Sequence, residues 1–102
     1  MIVVRDTFYL HFGKAKEAKA LTAEFNEILK KYDNSPRRFL TDFTGESYRL
    51  ILESTFVDLT SYEDTLKSHF GRDEWRAWYE KFIPLVNRSE REILSLVEGS
   101  LV

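Results

Sequence analysis

Arg37-Arg38-Phe39-Leu40-Thr41-Asp42-Phe43-Thr44-Gly45-Glu46-Ser47-Tyr48-Arg49-Leu50-Ile51-Leu52-Glu53-Ser54-Thr55-Phe56-Val57 decides the fold. Two strand-like runs, Arg37 to about Thr44 and Tyr48 to about Val57, flank Thr44-Gly45-Glu46-Ser47, a short glycine-containing connection that suits a hairpin. The reading is two antiparallel strands at the centre of the chain, and each is preceded or followed by one helix and one further strand. Upstream, Asp33-Asn34-Ser35-Pro36 is turn chemistry, because Asn and Asp tolerate left-handed backbone and Pro cannot prolong a helix. Before it, Ala15, Ala18, Leu21, Phe25, Ile28, Leu29 and Tyr32 form one helical stripe between Lys14 and about Tyr32. Earlier still, residues 2 to 12 alternate: Ile2, Val4, Phe8, Leu10 and Phe12 on one face, Val3, Arg5, Thr7, Tyr9 and His11 on the other.

Downstream, Thr60-Ser61-Tyr62-Glu63 has the form of a capping box, in which hydroxyl and carboxylate each satisfy an orphan amide. A helix is predicted from there, carrying Tyr62, Leu66 and Phe70 inward and pausing at Gly71-Arg72. It restarts at Asp73 with Trp75, Trp78, Tyr79, Phe82, Ile83 and Val86 on one stripe, and Pro84 lies near its end. About Arg91 to Val97 reads as the last strand, and Glu98-Gly99-Ser100-Leu101-Val102 as a short tail. The order is βαββαβ. Two right-handed βαβ units joined by a hairpin give an α+β, ferredoxin-like sandwich: a four-stranded antiparallel sheet with helices on one face. The other face carries apolar and aromatic residues such as Val3, Tyr9 and Ile51, and an open patch of that kind marks an interface. Two such sheets facing each other across a two-fold axis bury it, so a homodimer is expected.

Composition narrows the function classes. The 102 residues suffice for a single domain, residues 1–102. Lys plus Arg at 15 against Asp plus Glu at 17 leave a net charge of -2, which gives neither nucleic acid nor an anionic membrane an electrostatic footprint. No apolar run approaches the roughly 20 residues that span a bilayer, and Arg5 and Asp6 bring charge too early for a signal peptide. A cytoplasmic location is expected. Without cysteine the chain has no disulfide, thiolate nucleophile or thiolate-bound metal, and with only His11 and His69 no metal site and no cofactor are expected.

The segment Arg5-Asp6-Thr7-Phe8-Tyr9-Leu10-His11-Phe12-Gly13-Lys14, a strand opening with Arg, containing an aromatic and running into a Gly that starts a helix, resembles NIPSNAP-like domains. These are part of the dimeric α+β barrel superfamily, with small monooxygenases and stress-responsive barrel proteins. Phe12 stands where such domains often have Pro. The resemblance implies the dimeric barrel fold; it does not extend to haem-degrading barrel enzymes, since no Asn accompanies His69 and Trp75 at a matching position.

Arg5, Tyr9 and His11 share the strand face turned toward the expected barrel interior, an unusual choice for a core. Asp42, Glu53 and Arg91 join them if the strand registers allow. Grouped opposite charges in a partly enclosed space orient a small polar ligand, or else form an ion-pair network that holds a dimer in register. His11 is the candidate for proton transfer, with Asp42 or Glu53 to orient it. His69 is read as a cation favouring a helix C-terminus, with no catalytic role. Trp75, Trp78 and Tyr79 read either as one wall of an aromatic pocket or as core, their spacing of three and four being that of a core-facing helix. Arg37 and Arg38 point to opposite faces and blunt an edge strand, and Gly13-Lys14 lacks the spacing of a nucleotide loop. Two functions remain open. One is a small-molecule enzyme or binder, with its pocket inside the barrel or between sheet and helices, of cofactor-free oxygenase or isomerase type. The other is a non-catalytic interaction domain whose polar interior sets the dimer register.

Overall fold

The structure, a computed structural model, describes residues 1–33 and 35–99, with the side chain of Phe70 excepted. The proposed turn residue Asn34, the tail residues Ser100, Leu101 and Val102, and the inward placement of Phe70 therefore lie outside the described residues. The elements run β1 (Ile2–Leu10), α1 (Ala15–Leu29), β2 (Arg37–Thr41), β3 (Arg49–Phe56), α2 (Leu59–Phe70), α3 (Asp73–Phe82), a 3₁₀ turn (Ile83–Leu85) and β4 (Val86–Ser95). The strands form one sheet in the order β2-β3-β1-β4, antiparallel throughout. This is the expected α+β sandwich.

Register settles the faces, because directly opposed residues of an antiparallel pair share one side. Arg5 stands opposite Glu53 and Glu92, Thr7 opposite Ile51 and Glu90, and Arg38 opposite Glu53, so all of these lie on the open face. Val4, Asp6, Phe8 and Leu10 turn to the helices together with Leu50, Leu52, Ser54 and Phe56. The apolar stripe of α1 is buried as its period requires, with Ala18, Phe25, Ile28 and Leu29 inside. The core has two parts. The larger joins α1, α3 and one end of the sheet through Leu10, Phe25, Leu50, Trp78 and Phe82; the smaller gathers Val4, Phe56 and Tyr62 beneath α2.

Several boundaries differ from the sequence reading, among them the end of α1, at Leu29 and three residues before Tyr32. β1 stops at Leu10, because the amide of His11 bonds to the Leu85 carbonyl and the chain turns; Phe12 is exposed and leans on Tyr48 instead of extending the apolar face. β2 ends at Thr41, where the chain leaves the ladder; the loop that follows has Gly45 and Tyr48 at positive φ. The cap of α2 is Asp58, not Thr60: its carboxylate accepts from the Ser61 amide at 2.8 Å, and a negative group suits the helix N-terminus better than a hydroxyl two residues later. β4 begins at Val86, five residues before the predicted start. It is an edge strand held by hydrogen bonds to β1 and by polar cross-strand pairs, so no apolar alternation announces its first half.

Candidate functional site

Between the helix face of the sheet and helices α2 and α3 lies a cavity of about 390 Å³. Its walls are aromatic: Phe8, Phe25, Phe39, Trp75, Trp78 and Phe82 line it, and Trp75 stacks on Trp78 at 5.4 Å between ring centres with the planes 24° apart. Trp78 is fixed by donating its Nε1 hydrogen to the Leu21 carbonyl at 2.8 Å. The smaller core cluster supplies the opposite wall through Val4, Phe56, Tyr62 and Leu66. Of the α3 aromatics that the sequence left open between core and pocket, Trp78 is both, Trp75 packs against the core at the cavity wall, and Tyr79 lines the cavity while remaining exposed.

Two polar groups interrupt this lining. The first is Asp33, Arg37 and His69. Asp33 accepts from the Ser35 amide at 2.8 Å and pairs with Arg37 at 3.1 Å. Burial acts to raise the Asp33 carboxyl, but the Ser35 hydrogen bonds and the Arg37 charge outweigh it and hold the group below its ordinary range, so it is ionised. His69 Nε2 stands 3.8 Å from Asp33 Oδ2, too far for a hydrogen bond. Burial pushes the imidazole below its ordinary value; Asp33 opposes this while Arg37 and Arg72 add to it, so the ring is neutral at pH 7. The second group is Asp6, Arg91 and Tyr62. Arg91 Nε donates to Asp6 at 2.6 Å and its guanidinium lies 5.9 Å from the Tyr62 ring centre. Burial raises the Tyr62 hydroxyl above its ordinary value against the pull of Arg91, which keeps it a proton donor. Among the described residues, Tyr62 Oη and His69 Nε2 are the buried side-chain polar atoms with no hydrogen-bond partner. Buried polar atoms are nearly always paired, so two orphans on residues that line one cavity set it apart from ordinary core.

The residues singled out from the sequence are distributed differently from the expectation. Arg5 and Glu53 do meet on the open face, at 2.7 Å, and Arg38 grips the other carboxylate oxygen at 2.7 Å. Burial acts to raise Glu53, and the two arginines more than offset it, leaving the carboxyl low. Tyr9 is on the same face but pairs elsewhere, with Arg88 over its ring at 3.7 Å and its hydroxyl donating to Glu90 at 3.3 Å. Asp42 is taken up by the hairpin, accepting from the Arg49 amide at 2.8 Å. Arg91 does not join the open face: the register sets it opposite Asp6, on the helix side. His11 is exposed past the end of β1, and neither it nor Arg5, Tyr9 or Glu53 lines the cavity. The sequence reading passed over His69 as a helix-end cation. Its position seven residues after Tyr62, two turns on the same face of α2, was the available signal. Among the described residues no group of three or more His, Cys, Asp or Glu is placed to hold a metal ion, and no helix is long and apolar enough to cross a membrane.

The sequence matches no protein-family model and no curated protein. Solved structures do match. An uncharacterised NIPSNAP domain protein from Burkholderia xenovorans is 18% identical with a TM-score of 0.87, covering 97% of each chain. A NIPSNAP family protein from Agrobacterium tumefaciens is 20% identical at 0.83, covering 97% of this chain and 88% of that one. SnoaB, a cofactor-independent oxygenase from Streptomyces nogalater, is 11% identical at 0.74, covering 99% and 97%. At these identities the likeness is one of architecture, and the fold of this chain is that of the NIPSNAP-domain proteins, shared more distantly with an α+β oxygenase.

Proposed function

We propose that this protein is a homodimer, joined through the open faces of its sheets, that binds a small planar molecule in the cavity beneath α2 and α3 and acts on it without a cofactor, as an oxygenase or isomerase. The observation that carries the proposal is the pairing of a stacked aromatic wall with two buried, unpartnered hydrogen-bonding atoms in one cavity. Flat apolar surface selects a flat ligand, and orphaned polar atoms select where its polar groups lie. The architecture it shares with a cofactor-independent oxygenase supports the same reading.

The open face supports the dimer. Val3, Ile51, Leu40 and Leu94 supply apolar surface there, and the Arg5-Glu53-Arg38 and Tyr9-Arg88-Glu90 groups are satisfied internally, as an interface that sets register requires. That self-sufficiency favours a second reading for these charges alone: they order the dimer and bind nothing. A chain without cysteine needs no oxidising compartment, and we place it in the cytoplasm. Native mass spectrometry of gently purified protein tests the whole proposal. The expected result is a dimer carrying a discrete extra mass; a monomer refutes the interface, and a dimer that takes up no planar aromatic compound refutes the cavity as a binding site and leaves a non-catalytic dimerisation domain.

A further inference from the structure

We propose that His69 Nε2 is the proton acceptor of this cavity, taking the hydroxyl proton of a planar phenol or enol whose far carbonyl is held by Tyr62 Oη, while Asp33 steadies the imidazolium that forms. The inference rests on the cavity being the binding site. Its starting point is the pair of orphaned atoms. The His69 side chain is only 7% exposed, its Nε2 is buried without a hydrogen-bond partner, and the residue lines a space bounded mostly by apolar carbon. With the ring proton on Nδ1, Nε2 is an acceptor awaiting a donor. Tyr62 offers the reverse at the other pole: a protonated hydroxyl, unpartnered, with the guanidinium of Arg91 near enough to reinforce its polarity.

The two residues lie seven apart on α2, about 10 Å along its axis, so the poles face a ligand of about two fused rings across the aromatic wall. A donor at one end and an acceptor at the other describe a hydroxylated, conjugated carbonyl compound. Proton transfer balances within the site: the ligand O–H bond breaks, its electron pair stays on oxygen, and an N–H bond forms at Nε2. Asp33 Oδ2, 3.8 Å from that nitrogen, makes no hydrogen bond to the neutral ring but is near enough for its charge to stabilise the imidazolium. Arg37, paired with Asp33, also lines the cavity and adds a positive charge to this end of it. The other groups turned toward His69 are Arg72, from the link between α2 and α3, and the Tyr32 ring at 6.4 Å. Burial keeps the imidazole neutral before the ligand arrives, as an acceptor must be.

The test uses 7-hydroxycoumarin, whose absorbance moves to longer wavelength on ionisation, beside 7-methoxycoumarin, which has no proton to give. One pH unit below the free probe's pKa, roughly a tenth of it is ionised in water; a tenfold or larger shift on binding makes about half or more of it anion. The anion spectrum is expected with the wild type. His69→Asn and His69→Gln should leave bound 7-hydroxycoumarin neutral, with 7-methoxycoumarin reporting how much cavity binding each variant retains, while Tyr62→Phe weakens both probes severalfold. A neutral spectrum on the wild type, or an anion that survives in either His69 variant, overturns the proposal and spares the cavity. Failure of both probes to bind the wild type overturns the cavity reading itself. The wild-type spectrum decides even where a variant does not fold.

Discussion

Glu53→Gln removes one negative charge from the point where three open-face side chains meet. The carboxylate is 7% exposed and is held by Arg5 Nε and Arg38 Nε, each at 2.8 Å, with both guanidinium tips also within 2.7 Å. Hydrogen bonds to a charged partner are worth about 1.5 to 3 kcal/mol each when sheltered. Arg38, however, is 70% exposed and Arg5 38%, so solvent screening reduces the pair to about 2 kcal/mol in total. For a chain of this length that corresponds to a melting temperature lower by about 10 °C. Gln has the shape of the protonated acid, which supplies the control. The folded-state pKa of Glu53 lies below its ordinary 4.5, so its contribution is complete above 4.5 and is lost as the pH falls through the lower, folded value. Thermal melts of both proteins from pH 7 to pH 3 should show the gap narrowing toward zero at the acid end. Equal melting temperatures at pH 7, or a gap that stays constant down to pH 3, refute the reasoning.

His69 makes its own pH signature: a pKa lowered below 6.5 in the folded state gives stability that is complete above 6.5 and falls as the pH drops toward the folded value. The urea midpoint of the wild type should therefore decline on acidification below neutrality, and that of His69→Asn should decline less; parallel curves count against it. Trp78→Ala empties a 4%-exposed site and removes the indole hydrogen bond to the Leu21 carbonyl, at a cost of about 3 to 5 kcal/mol by urea denaturation, whereas less than 1 kcal/mol would mean the helix face collapses into the gap. Asp58→Ala should cost about 1 kcal/mol through the lost cap on the Ser61 amide, and Thr60→Ala much less; the reverse order would restore the cap to Thr60.

The architecture was legible because each element obeys its own period. The α1 stripe and the alternation of β1 specify what they bury, and the hairpin that follows them fixes the topology. β4 was half hidden because an edge strand with exposed residues on both sides carries no apolar alternation. The site was harder. Arg91 was assigned to the open face because register cannot be read from one strand, and a shift of one residue exchanges faces: opposite Asp6 it joins the cavity, opposite Arg5 it would not. His69 was read from its place in sequence near a helix end. Its burial depends on Asp33 and Arg37, brought beside it by the turn before β2, which no local pattern of α2 contains.

The division of the core has a thermodynamic consequence. Val4, Phe56 and Tyr62 form a cluster of their own under α2, and the cavity lies between that cluster and the larger one built on Phe25, Trp78 and Phe82. Empty, the gap leaves α2 supported by the few side chains beneath it, so in native-state hydrogen exchange its amides should open at a lower free energy than those of β1 or α1. A molecule seated in the gap touches both clusters at once and merges them, so occupancy would be felt most in the exchange of a helix whose hydrogen bonds are all its own. A ligand bound there as proposed would supply the middle of the core, so that binding and the cooperativity of folding would be two measures of the same contact.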